Sequence, residues 1–68
     1  MEYTFSTNLR IQRKKKNMTQ RELAKRINVN SQQIYRWEND IIYPPLDKVF
    51  DIARVLEIDI MLLLRGLD

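Results

Sequence analysis

Ser31, Gln32, Tyr35 and Arg36 carry side chains suited to reading the edges of DNA base pairs, and they recur at a spacing that puts them on one arc of a helix. A glutamine amide matches the donor and acceptor of adenine in the major groove, and a guanidinium matches the two acceptors of guanine. Tyr35 lies between them and can pack on a thymine methyl or reach a phosphate. This is the chemistry of recognition. Bond-breaking has few candidates, because the chain contains no His and no Cys, so the usual base, thiol nucleophile and zinc ligands are missing. Ser6 and Ser31 have no evident activating partner, and the single glycine, Gly66, rules out a glycine-rich phosphate loop. The expectation is a protein that is not an enzyme and that uses no cofactor and no metal.

The elements that must position these side chains are legible in Thr19 to Trp37. Thr19 and Glu22 form the two halves of a capping box, opening a helix at about Gln20. Leu23, Ala24 and Ile27 give it a narrow apolar stripe, and Ala24 permits close approach of a second helix. Asn28 tolerates the left-handed conformation and turns the chain. Asn30 caps the next helix, in which a step of about 100° per residue separates Gln33, Ile34, Trp37 and Glu38 from Ser31, Gln32, Tyr35 and Arg36. The first arc anchors and the second is free to read. Gln33, third after the cap, is assigned to capping in preference to base reading.

Two short helices joined by such a turn make a helix-turn-helix, and the match extends well beyond them. The residues Thr19-Gln20, Glu22-Leu23-Ala24, Val29, Ile34, Arg36 to Asn39, Pro44, Leu46, Ile52-Ala53, Leu56 and Leu63-Leu64 resemble the phage-repressor helix-turn-helix family of the Cro and XRE type. The resemblance runs without gaps over about Leu9 to Leu64. It implies an all-α, five-helix repressor-like fold. Asn28, Asp40 and Glu57 stand where family members usually carry glycine, and Glu57 is the least suited of the three to a positive φ.

Several roles follow from the resemblance. Gln20 matches a glutamine that contacts a phosphate at the start of its helix, where side chain, backbone N–H groups and dipole converge. Arg13 and Glu38 match a salt bridge tying the first helix to the end of the recognition helix. Trp37 stands where the family buries a large apolar residue, whereas Tyr35 replaces a small one. Arg10, Lys14, Arg21 and Asn39 flank the two helices and are candidates for further phosphate contacts.

The remaining helices follow from apolar spacing. A first helix is expected from about Ser6 or Thr7 to Lys16, with Asn17 as its stop. Pro44 and Pro45 lead into a fourth helix whose core face is read as Leu46, Val49, Phe50, Ala53 and Leu56. Asp59 caps a short fifth helix with Ile60, Leu63 and Leu64 toward the core and Met61 and Leu62 on the other side, and Gly66 ends it. The chain of 68 residues, 44% hydrophobic, is expected to be one domain over residues 1–68, of a size often marginal without a partner subunit.

Charge is divided along the chain. Residues 1–39 hold nine Lys/Arg against three Asp/Glu, a net +6, and residues 40–68 hold three against six, a net −3. A polyanion is therefore expected on one side only. The longest apolar run, Ile60 to Leu64, is far too short to cross a membrane, and no signal peptide is evident, so the expected compartment is the cytoplasm.

Ile41, Ile42, Tyr43, Met61 and Leu62 are apolar where the family is often basic or polar, and these five are expected to contribute to a symmetric homodimer interface. The leading expectation is thus sequence-specific binding of double-stranded DNA by a transcriptional regulator, a repressor on a pseudo-palindromic operator. The alternative is a protein-interaction module, such as an antitoxin or adaptor, working through that same apolar surface.

Overall fold

The computed structural model describes residues 4–65, and in them five helices follow one another: α1 (Phe5–Lys15), α2 (Gln20–Arg26), α3 (Ser31–Glu38), α4 (Leu46–Leu56) and α5 (Met61–Leu64). No strand occurs among the described residues. Each start has a local cause. Thr4 accepts from the Thr7 N–H and opens α1 at Phe5, one or two residues earlier than expected, because its hydroxyl satisfies a donor at the helix start. The capping box of α2 is complete: Glu22 N–H donates to Thr19 Oγ1 at 3.0 Å and Thr19 N–H donates to Glu22 Oε1 at 2.7 Å. Asn30 Oδ1 caps α3, Pro45 precedes α4 with its φ at −63°, and Asp59 Oδ1 accepts from Met61 N–H. Gly66 lies outside the described residues.

The Thr19 backbone N–H, and then its hydroxyl, hold the Glu22 carboxyl below its ordinary value. The charged form is therefore favoured by folding, so this contribution is complete above the ordinary value near 4.5 and is lost as pH falls through the lowered one. Glu22→Gln should flatten the acid limb of stability measured by thermal melts across pH, leaving the neutral limb lower; parallel curves for the two proteins would contradict this.

Four helices end by the same device. Asn17, Asn28, Asp40 and Glu57 have φ of 55°, 62°, 60° and 56°, and after each the next N–H reaches back five residues, Met18 to Arg13, Val29 to Ala24, Ile41 to Arg36 and Ile58 to Ala53. This is the closure in which glycine is usual, and the chain makes it without glycine. Asn and Asp tolerate the left-handed region, but a glutamate there keeps its steric cost. Glu57→Gly should therefore stabilise the fold by about 1 kcal/mol, offset in part by added freedom in the unfolded chain, raising Tm by about 5 °C. An unchanged or lower Tm would count against it.

The core gathers on the inner faces. Leu9, Leu23, Ile34, Val49, Ile52, Leu56 and Leu63 are completely buried, with Trp37 and Ala24 nearly so. At about 1.5–3 kcal/mol per buried large apolar side chain, these residues supply the main drive to fold. The buried Asn8 donates from Nδ2 to the Leu63 carbonyl at 2.8 Å and so joins α1 to α5. Lys48 Nζ donates to the Ile27 carbonyl at 3.0 Å, bringing one flank of α4 against the end of α2.

That approach leaves the opposite flank of α4 bare. Leu46 and Phe50, expected in the core, are 65% and 54% exposed, and the buried stripe is Val49, Ile52, Ala53 and Leu56 instead. Leu64, also expected inside, is 42% exposed, because α5 is a single turn and Leu63 takes its inward position. Leu62 is half-buried, whereas Met61 is exposed as expected.

Candidate nucleic-acid interface

The two arcs of α3 separate as the spacing predicts. Ile34, Trp37 and Glu38 are buried, while Ser31, Gln32, Tyr35 and Arg36 are exposed. Ile34 and Trp37 join the core beside Leu23, Ala24 and Leu9, which pins α3 against α2 and α1 and leaves its polar arc facing outward. Tyr35 is half exposed, and Arg36 has no salt-bridge partner among the described residues. Gln33 is half-buried and contributes to the cap through its backbone N–H, which donates to Asn30 Oδ1 at 3.0 Å.

Beneath this arc lies a polar centre. Arg13 donates from Nε to Glu38 Oε2 and from Nη2 to Glu38 Oε1 at 2.9 Å, a two-pronged contact that matches a guanidinium to a carboxylate. Its third nitrogen, Nη1, donates to the Met18 carbonyl at 2.7 Å, so Arg13 joins α1, the turn before α2 and the end of α3. Glu38 is 2% exposed, and no buried polar side-chain atom among the described residues lacks a partner. The ion pair suggested by resemblance is thus present and buried.

Gln20 enters the same centre, donating from Nε2 to Glu38 Oε1 at 3.1 Å. The expected role of Gln20 is a phosphate contact alone, and its bond to Glu38 has no signal in the sequence. Eighteen residues separate the partners, so no helical period connects them. Arg10, Lys14 and Arg21 are exposed on α1 and α2, free of ion pairs among the described residues. Asn39 is also exposed, but its Nδ2 folds back to the Tyr35 carbonyl at 2.8 Å and helps to close the end of α3.

The family model described as helix-turn-helix matches residues 9–63, which takes in most of α1, all of α2 to α4 and α5 as far as Leu63. The chain belongs to this helix-turn-helix family. Within the helix-turn-helix, α2 is the supporting helix, the left-handed Asn28 makes the turn, and α3 is the exposed second helix. The fold is that of phage-repressor DNA-binding domains. It is similar to the phage P22 c2 repressor in complex with a synthetic operator, with a TM-score of 0.86 at 25% identity over 94% of this chain and 97% of that one. The DNA-binding domain of the same repressor in solution gives a TM-score of 0.89 at 24% identity, over 97% and 87% of the two chains. A hypothetical transcription factor from Neisseria gives 0.82 at 23% identity, over 88% of this chain and 69% of that one. No curated protein sequence matches the chain closely enough to count as a relative.

Proposed function

We propose that this helix-turn-helix protein regulates transcription by binding double-stranded DNA in a sequence-specific way, as a repressor that occupies its operator. The carrying observation is the outward polar arc of α3, with Ser31, Gln32, Tyr35 and Arg36 held over the buried Ile34 and Trp37. Laid in a major groove, α3 presents Ser31 and Gln32 first and Arg36 one turn later. Gln20, Arg10, Lys14, Arg21 and Asn39 supply phosphate contacts that set its register. The reading involves no catalytic step and no cofactor, and it places the protein with DNA in the cytoplasm. Among the described residues no helix is long and apolar enough to cross a membrane.

The proposal includes a two-fold dimer on a pseudo-palindromic operator. Its support is the exposed apolar surface in the acidic part of the chain, where Ile41, Ile42 and Tyr43 are 61%, 49% and 60% exposed and Met61 is 41% exposed. The half-buried Leu62 contributes less, and Leu46, Phe50 and Leu64 are exposed as well. A protein-interaction module on the same scaffold is not favoured, since the family and the repressor likeness both point to DNA.

Selection of bound sequences from a random duplex pool tests the reading. Enrichment of two related half-sites about 34–36 Å apart is expected; the absence of any enriched sequence would overturn it. Ile42→Asp and Met61→Asp should leave half-site binding intact and weaken binding to the full operator by about a hundredfold through lost avidity. Sedimentation on operator DNA should then show one protomer per half-site bound independently, and cooperative binding that persists would remove these residues from the interface.

A further inference from the structure

We propose that Glu38 is a positioning residue for DNA binding: it turns the Gln20 amide so that its nitrogen faces a phosphate, and Arg13 cancels the carboxylate charge that would otherwise repel that phosphate. The inference rests on the DNA-binding reading. Glu38 lies 2% exposed beneath the surface, yet its Oε1 accepts from Gln20 Nε2 at 3.1 Å, and Gln20 itself is half-buried at the surface edge. An amide nitrogen carries two hydrogens, so one is held by Glu38 and the other remains to donate. Flipping the amide would set its oxygen against a carboxylate oxygen, which is repulsive. Glu38 thus selects the orientation that offers a donor to an incoming anion.

A buried carboxylate close to a phosphate site would on its own oppose binding. Arg13 removes that penalty through its two bonds to Glu38, and its third bond, to the Met18 carbonyl, keeps it from swinging out. The pair is neutral as a unit, and Gln20 is its outward-facing member. This assigns three residues from α1, α2 and α3 to one phosphate contact.

The test measures affinity for a mixed-sequence duplex of about 30 base pairs at about 50 mM salt, because phosphate contacts need no operator. Gln20→Ala is made in the parent and in the pair replacement Arg13→Met/Glu38→Leu, which keeps net charge and fills the space with apolar groups, a change cores often accept. Circular dichroism confirms that all variants are folded at the temperature used. Gln20→Ala should weaken binding roughly tenfold in the parent and less than about twofold in the pair replacement, which itself binds roughly tenfold more weakly. Equal losses in both backgrounds would mean that Gln20 acts alone and would overturn the proposal. No loss in the parent would also overturn it, by removing the phosphate contact, while a parent that binds no duplex would overturn the DNA-binding reading itself. Without DNA, one of the two Gln20 side-chain amide protons should be shifted and slowed in exchange by its bond to Glu38 in the parent NMR spectrum, and should lose that shift and protection in the pair replacement.

Discussion

Arg13→Ala should cost about 3–5 kcal/mol of folding stability, the usual penalty for leaving one member of a buried ion pair without its partner. Glu38 is 2% exposed and takes two of its three hydrogen bonds from Arg13, so the substitution strands a charge that water cannot reach. The Met18 carbonyl loses its Arg13 donor in the same step. A domain of this length has only about 3–10 kcal/mol to lose, at about 0.05–0.15 kcal/mol per residue. The expected result is a Tm lower by about 15 °C or more, read by circular dichroism at one fixed protein concentration. Equal Tm values for mutant and parent would show that the pair contributes nothing to the fold. Replacing both residues with apolar side chains should do far less harm, since no charge is then stranded.

Arg36→Ala and Gln32→Ala should each weaken binding to the selected operator by about tenfold to a hundredfold, from the loss of one base-edge contact worth about 1–3 kcal/mol. Both side chains are exposed and make no hydrogen bond within the fold among the described residues, so Tm should move little. The signature lies in where the loss falls. Removing a base reader relaxes the preference at one position of the half-site, whereas removing a phosphate contact such as Gln20 weakens all sequences alike. Repeating the selection with each variant reads this directly. An unchanged preference for both would assign recognition to other residues, with Ser31 and Tyr35 the next to vary.

These outcomes differ because the two groups of residues answer to different parts of the physics. The α3 arcs were legible from spacing, since a helix repeats every 3.6 residues and the apolar members, Ile34 and Trp37, mark the inner side. The Thr19–Glu22 box, the Asn30 cap and the left-handed Asn28 were legible for a similar reason, because each depends on residues a few places apart, whereas Asp40 and Glu57 stood out only through the resemblance, Glu57 as the least suited to a positive φ. Leu46, Phe50 and Leu64 were misplaced. Their period marks them as apolar members of helices, but which flank of α4 meets a neighbour depends on how it lies against α2, where Lys48 reaches Ile27, and the single turn of α5 has one inward position, which Leu63 takes.

The Gln20–Glu38 bond and the Asn8–Leu63 bond span 18 and 55 positions, and neither has any local trace. By itself, then, the sequence determined the helices, most of their caps and turns, the division of charge and the polar arc of α3, because these follow from short-range geometry and residue type. Only the tertiary structure decided which apolar residues stay exposed and that Gln20 joins the Arg13–Glu38 pair in one centre beneath the polar arc of α3. Those outcomes depend on the packing of helices distant in the chain, where the position of one surface decides whether another meets protein or water.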